Sequence, residues 1–264
     1  MAVPRKRPEP SALSPNFVQS LARGLIVIEA MGTRGGSMTL SEVAAATSLS
    51  RAAVRRLLLT LQDLGYVGAN GRQFFLTAHI LGLGYAYLAS LPLTEVVVRH
   101  MESLVEKVHE SCSVSVLDRA DIVYVARVPT KRIMQVNLSV GARLPAHLTS
   151  MGRVLLSALA PRELDAYFTR AQLVARTARS VDSEPELRRI LAQVARHSWA
   201  LVDQELEDGV RSVAVPLHDR AGRVVAAMNI SAHATRCSRT QLQKQILPQL
   251  QDAAAAIDAA LRLR

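Results

Sequence analysis

The stretch Thr39–Val67, TLSEVAAATSLSRAAVRRLLLTLQDLGYV, leaves a chain few ways to fold. Its apolar residues recur at helical spacing in two short runs, separated by the polar turn Thr47-Ser48-Leu49-Ser50. Thr39 followed by Glu42 is a capping box that opens the first run. Leu40, Val43, Ala44 and Leu49 are its inward positions, and Ala44–Ala46 keep it slim enough for a close neighbour. Ser50 is placed to cap the second run. There Val54, Leu57, Leu58 and Leu61 form one apolar stripe, and Arg51, Ala52 and Arg55 fall opposite it, with Arg56 beside them. Two short helices at a tight turn, the second opening on arginines, make a helix-turn-helix. In that motif the second helix enters the major groove by its N-terminal end.

The flanks extend the motif. Asn16–Met31 carries Phe17, Leu21, Leu25, Ile26 and Ile28 at helical spacing, with Ser14-Pro15 or Asn16 as a cap and Gly32–Gly36 as its end. After Gly65, Tyr66-Val67 starts a strand, Asn70-Gly71 is a hairpin turn, and Gln73–Leu76 returns. Three helices and a hairpin predict a winged helix over residues 16–77, with Arg72 beside the turn within reach of a phosphate or the minor groove. Residues 1–15 read as a disordered basic arm without the apolar core of a signal peptide; the arm adds phosphate contacts or is simply a frayed terminus. The net charge of +10 suggests a polyanionic partner, although a proteome rich in arginine gives the same bias. Nine Lys and Arg against four Asp and Glu fall in the first 90 residues, so positive charge is denser there.

Thr77–Ser90 reads as a helix leading out of the wing, and residues 78–92 as a linker that Leu91-Pro92 closes. Its Gly82-x-Gly84 lacks the third glycine and the βαβ setting of a dinucleotide site. Close approach of two helices accounts for the glycines better. Residues 93–264 then form an α/β domain with a mainly antiparallel sheet, and the whole chain is α+β. Helices are expected at Thr94–Ser111, Thr149–Leu159, Pro161–Arg170, Glu184–His197 and Ser238–Leu263. Strands are expected at Ser113–Leu117, Ile122–Arg127, Ile133–Leu138, Ala200–Leu206, Arg211–Leu217 and Val224–Ser231. Cys112 and Cys237 suit neither a disulfide framework nor a metal site, which fits a reducing cytoplasm. No apolar run is long enough to span a membrane.

Nothing in the chain reads as catalytic. G-x-S-x-G, H-E-x-x-H and P-loop patterns are absent, and the seven histidines are scattered. The informative stretch is Thr149-Ser150-Met151-Gly152. A helix start offers free N–H groups, and a glycine in its first turn would let a small carboxylate approach. An ordinary capped helix explains the same residues locally. Asn229 and Ser231 alternate, so they share a strand face, which is either a polar pocket wall or a solvated surface. Asp203 and Ser212 are further polar residues on neighbouring strands. No cofactor or metal is expected.

The chain resembles the IclR family of bacterial transcription regulators. The resemblance lies in L-A-R-G-L-I-V-I-E (Leu21–Glu29), S-R-A-A-V-R-R-L-L-L-T-L (Ser50–Leu61) and L-G-Y-V (Leu64–Val67). It continues in V-G-A-R-L-P-A-H-L-T-S-M-G-R-V-L-L (Val140–Leu156) and E-x-x-x-G-V-R-S-V-A-V-P-L (Glu205–Leu217). T-K-R-I-M-Q-V-N (Thr130–Asn137) is similar to the Pca and Pob subgroup, which controls aromatic-acid catabolism. The resemblance implies a cytoplasmic, non-enzymatic homodimer or homotetramer on operator DNA, with RNA polymerase a further candidate partner. It implies DNA contacts at Ser50, Arg51, Arg55 and Arg56. It also implies an effector pocket from Ser150, Met151, Asp203, Ser212, Asn229 and Ser231, with Ile133, Val136 and Leu144 as its apolar wall. Members that bind two-carbon keto acids often carry Gly-Ala where Ser150-Met151 stands, and Ser where Asn229 stands. The departures fit a different or larger organic acid, and the subgroup resemblance implies one such as protocatechuate, p-hydroxybenzoate or β-ketoadipate. A keto-acid regulator, an enzyme acting on an acidic metabolite and an architectural DNA-binding protein are the rival readings.

Overall fold

The computed structural model describes residues 14–90, 94–130 and 138–262. The chain divides into two compact units, Met1–Ser90 and Leu91–Arg264. In the first, helices α1 (Gln19–Arg34), α2 (Leu40–Thr47) and α3 (Arg51–Asp63) precede a hairpin of β2 (Val67–Asn70) and β3 (Gln73–Leu76). Thr39 and Glu42 form the capping box of α2, and the Ser50 hydroxyl accepts the Ala53 N–H at 3.2 Å. Gly71 takes the left-handed conformation that the hairpin turn needs, with φ of 59°. Val43, Val54, Leu58, Leu61 and Val67 close a core with Val27 and Met31 of α1.

Three details differ from the sequence-based expectations. Met38–Thr39 is a strand, β1, paired antiparallel to β3, so the wing sheet has the order β1-β3-β2. Helix α1 begins after Val18, which offers no side-chain cap, and runs through Gly32 to Arg34. Phe17 ahead of the helix and Leu21 and Leu25 within it lie exposed, Leu21 at 64%, because Val27 and Met31 occupy the face toward α2 and α3. After β3, a 3-10 turn capped by Thr77 leads into α4 (Leu81–Ser90). Nothing lies within 4 Å of where a side chain at Gly82 or Gly84 would stand, so the expected close helix packing is absent among the described residues.

The second unit is built on a six-stranded antiparallel sheet of order β6-β5-β4-β9-β8-β7. Its strands are β4 (Ser111–Asp118), β5 (Asp121–Val128), β6 (Arg143–Pro145), β7 (Ala200–Asp203), β8 (Val210–His218) and β9 (Val224–His233). Helices α5 (Thr94–Val108) and α10 (Leu247–Arg262) pack together on one face, over strand positions such as Val114, Val213 and Ile230. The other face meets α6 (Ser150–Ser157), α7 (Pro161–Arg170) and α8 (Glu184–His197) through a core that includes Ile122, Tyr124, Met151, Leu155, Leu187 and Ala227. Strand β7 stops at Asp203, short of the expected Leu206, because Gln204 takes a left-handed conformation (φ 62°) and donates its N–H to Val210. The expected single closing helix is three pieces: α9 (Arg239–Gln241), a π-turn at Leu242–Ile246, and α10. Pro248 lacks the N–H that would continue the ladder, which places the irregular turn just before it. The expected strand at Ile133–Leu138 lies almost wholly outside the described residues, as do the pocket-wall residues Ile133 and Val136 and residues 1–13 of the arm.

Candidate functional site

On the first unit, Arg51, Ala52, Arg55 and Arg56 are exposed on α3, opposite the buried Val54, Leu58 and Leu61, and Arg72 is exposed beside the wing turn. Among the described residues none of these four arginines is paired with a carboxylate, so their charge is free for phosphates. Ser50 serves as the N-cap of α3.

On the second unit, the register assembles a polar floor. Ser113 of β4 stands opposite Arg127 of β5 on one side and Asn229 of β9 on the other. Ser111 and Ser212 both stand opposite Ser231. Directly paired residues share a face, so Arg127, Ser113, Asn229, Ser231 and Ser212 all point the same way. The start of α6 closes over this floor. The Ser150 hydroxyl donates to Ser212 Oγ at 2.8 Å, and the Ser115 hydroxyl donates to the Met151 sulfur at 3.3 Å. Arg127 Nη1 donates to Ser113 Oγ at 3.4 Å, and Asn229 Nδ2 to Ser231 Oγ at 3.1 Å. Asn229 is only 4% exposed, yet its Oδ1 has no partner among the described residues. A buried amide oxygen left unpaired costs about 1–3 kcal/mol, a deficit that a ligand would relieve. Leu144 packs in the same core as Met151 and Tyr124. Burial pushes the Tyr124 phenol up to about 12, so it stays neutral.

The two longest motif stretches meet in a buried ion pair. Arg153 of α6 donates from Nη1 to Glu205 Oε1 at 2.8 Å and from Nη2 to Oε2, and both side chains are almost wholly buried. Arg153 Nε donates to the His147 carbonyl at 3.0 Å, and Glu205 Oε2 accepts the Val181 N–H at 3.2 Å. The pair is bidentate, and Arg153 Nε and Glu205 Oε2 each make one further hydrogen bond, the geometry a buried ion pair needs. It pins α6 at a fixed height over the sheet. Gly152 does not receive a ligand as the sequence suggested: a side chain there would overlap the Ala146 carbonyl. Its role is to seat α6 against the turn before it. In that turn burial, reinforced by the Arg153 and Arg176 charges against the Val174 carbonyl, depresses His147 to about 4, so it is neutral at physiological pH.

Asp203 does not join the floor. Val202 stands opposite Ser212, and Asp203 opposite Arg211, so alternation carries Asp203 to the other face. There Arg211 Nε donates to it at 2.7 Å, which holds its carboxyl below the ordinary range against the opposing effect of burial. Ser113, Ser115 and Arg127 escaped the sequence reading, because only the register reveals that they face Asn229.

Comparison with known proteins agrees on both units. Residues 20–71 match the IclR helix-turn-helix domain, and residues 85–259 match the bacterial transcriptional regulator IclR C-terminal domain. The Pca regulon regulatory protein of Pseudomonas putida is 43% identical over 94% of this chain and 86% of its own. A crystal structure of a transcriptional regulator from Rhodococcus sp. RHA1 superposes with TM-score 0.82 at 50% identity, over 94% of this chain and 99% of that one. The inducer-binding domain of the PobR transcription factor from Acinetobacter, solved as a double mutant with 3-hydroxybenzoic acid, is 29% identical with TM-score 0.60. It covers 64% of this chain and 98% of its own.

Proposed function

The chain belongs to the IclR family of bacterial transcription regulators, and from that membership we propose that it is a ligand-responsive regulator of aromatic-compound catabolism. The observation that carries the reading is the closed polar floor beneath α6, with an orphaned amide oxygen and hydroxyls from four elements. A small aromatic or dicarboxylic acid such as protocatechuate, p-hydroxybenzoate or β-ketoadipate is its effector. The likeness to a Pca regulator and to an inducer-binding domain solved with 3-hydroxybenzoic acid supports that class. Ser150, Met151, Ser212, Asn229, Ser231 and Leu144 line the effector site. Ser50, Arg51, Ala52, Arg55, Arg56 and Arg72 meet operator DNA.

The protein works without turnover, in the cytoplasm, on double-stranded operator DNA. No described helix is long and apolar enough to cross a membrane, and the described residues hold no cluster suited to a metal ion. It acts as a homodimer or homotetramer. The exposed Leu21 and Leu25 of α1 and Leu81, Leu83 and Tyr85 of α4 supply apolar surface for a second copy. The acid binds one arrangement of the assembly better than another, and that difference in affinity alters the presentation of the α3 helices to DNA.

Fluorescence anisotropy on operator DNA, with and without each acid, tests the reading. Protocatechuate, p-hydroxybenzoate or β-ketoadipate should shift operator affinity by about 5- to 150-fold. Ser150→Ala and Asn229→Ala should abolish the shift while operator binding without ligand persists. A response to pyruvate or glyoxylate alone would instead establish a keto-acid regulator.

A further inference from the structure

We infer that Arg127 supplies the positive charge that holds the effector's carboxylate, and that Asn229, two strands away on the same face, takes a hydroxyl at the effector's other end. The inference rests on the effector reading above and says how the site chooses its ligand.

Three other arginines on or over this sheet are already engaged by carboxylates. Arg143 is paired with Asp118 and Asp121, Arg153 with Glu205, and Arg211 with Asp203. Each is neutralised where it stands. Arg127 is half-buried on β5, and among the described residues its side chain bonds only to the Ser113 hydroxyl, at the long distance of 3.4 Å. The segment 131–137 that follows β5 contains no Asp or Glu. A half-buried guanidinium with one weak neutral acceptor has most of its five donors unspent. It lies against the same polar floor as the orphaned Asn229 oxygen. A carboxylate is the acceptor that matches this fork, two oxygens to two N–H groups.

The opposite end is set by Asn229. The Ser231 hydroxyl engages one end of its amide, and the other end is buried without a partner. Whichever way the amide is turned, a hydroxyl satisfies it, since a hydroxyl both donates and accepts. A second carboxylate serves it less well, because an ionised carboxylate only accepts. Arg127 and Asn229 are separated by β4, so their Cα atoms are about 10 Å apart. A ring carrying a carboxylate at one end and a hydroxyl at the other is the compact acid whose two ends match these two side chains. Ser113 stands between them, and Tyr124 and Met151 supply apolar contact in the adjoining core.

Isothermal titration calorimetry on the full chain tests this with four probes: 4-hydroxybenzoate, 4-hydroxybenzamide, benzoate and β-ketoadipate. The wild type should prefer the acid to its neutral amide, and 4-hydroxybenzoate to benzoate, by about tenfold or more in each comparison. Arg127→Gln should weaken 4-hydroxybenzoate by about ten- to a hundredfold while 4-hydroxybenzamide changes by less than about threefold. Arg127→Lys, which keeps the charge and loses the fork, should fall between. Asn229→Leu should erase the preference for 4-hydroxybenzoate over benzoate. Unchanged acid affinity in Arg127→Gln overturns the inference, and so does equal weakening of acid and amide, the mark of a structural role. If Arg127→Gln fails to fold, a wild-type preference for the acid of less than about threefold overturns it on its own. Tighter binding of β-ketoadipate than of 4-hydroxybenzoate removes the hydroxyl assignment. Wild-type protein that binds none of the four overturns the proposed effector class together with this inference, an outcome distinct from all the others.

Discussion

Glu205 and Arg153 lie 52 residues apart in the chain and meet in a bidentate pair, with Arg153 Nε and Glu205 Oε2 each making one further hydrogen bond. Taking one partner away strands a charge in a site that water does not reach. Glu205→Gln should therefore cost about 3–5 kcal/mol of unfolding free energy, read from urea denaturation. Replacing both partners by apolar residues, Arg153→Met with Glu205→Leu, should recover most of that loss, because the desolvation penalty of both charges disappears. The double variant should still lose its response to acid, since α6 is then held by packing alone. A single variant as stable as the wild type would mean that solvent already reaches the pair. The sequence could not show this contact. An arginine inside an apolar helix and a glutamate in a loop each read as surface residues until the fold brings them together. The same blindness hid Arg127, which looked like the polar end of a strand, and it misassigned Gly152. A glycine that admits a ligand and a glycine that admits a carbonyl look identical in one dimension.

At the scale of elements, what depends on neighbours in the chain was legible. The Thr39–Glu42 capping box, the Ser50 cap and the Asn70-Gly71 turn each act within a few residues, and each stands where the pattern put it. What depends on pairing was not. β1 is two residues long and exists only because β3 offers it an edge. Asp203 sits on the far side of the sheet because β7 pairs with β8 in one register and not in another. Helix α3 is a case where local pattern and tertiary role agree: its apolar stripe is buried and its arginines are out. That agreement makes its role measurable. If Arg55 and Arg56 each neutralise one phosphate, each Arg→Ala change should flatten the dependence of log K on log salt by about 0.9. The stability of the first unit should change by less than about 0.5 kcal/mol, because both side chains are exposed. Slopes that match the wild type in both variants would remove α3 from the DNA interface.

At the scale of the whole molecule, each unit closes a core of its own. Val27, Met31, Val54 and Leu58 serve the first, and the α6–α8 layer on the six-stranded sheet serves the second. Every described residue proposed to hold the effector belongs to the second unit, and every one proposed to meet DNA belongs to the first. Binding and response should therefore separate. A fragment of residues 94–264 should fold and bind an aromatic acid within about threefold of the full chain's affinity, since its floor, its α6 and its ion pair are all internal. A fragment of residues 14–90 should retain weak, salt-sensitive DNA binding that no acid alters. Response is a coupling free energy, and coupling needs both sites in one molecule with two arrangements to choose between. Mixing the two fragments should not restore it. Calorimetry on the first fragment and anisotropy on the second decide the matter. Loss of acid binding in residues 94–264, with the fragment folded by circular dichroism, would show that the pocket borrows residues from the first unit. In that case the signal would pass by direct contact between effector and DNA-binding unit, and the floor beneath α6 would be half of the site.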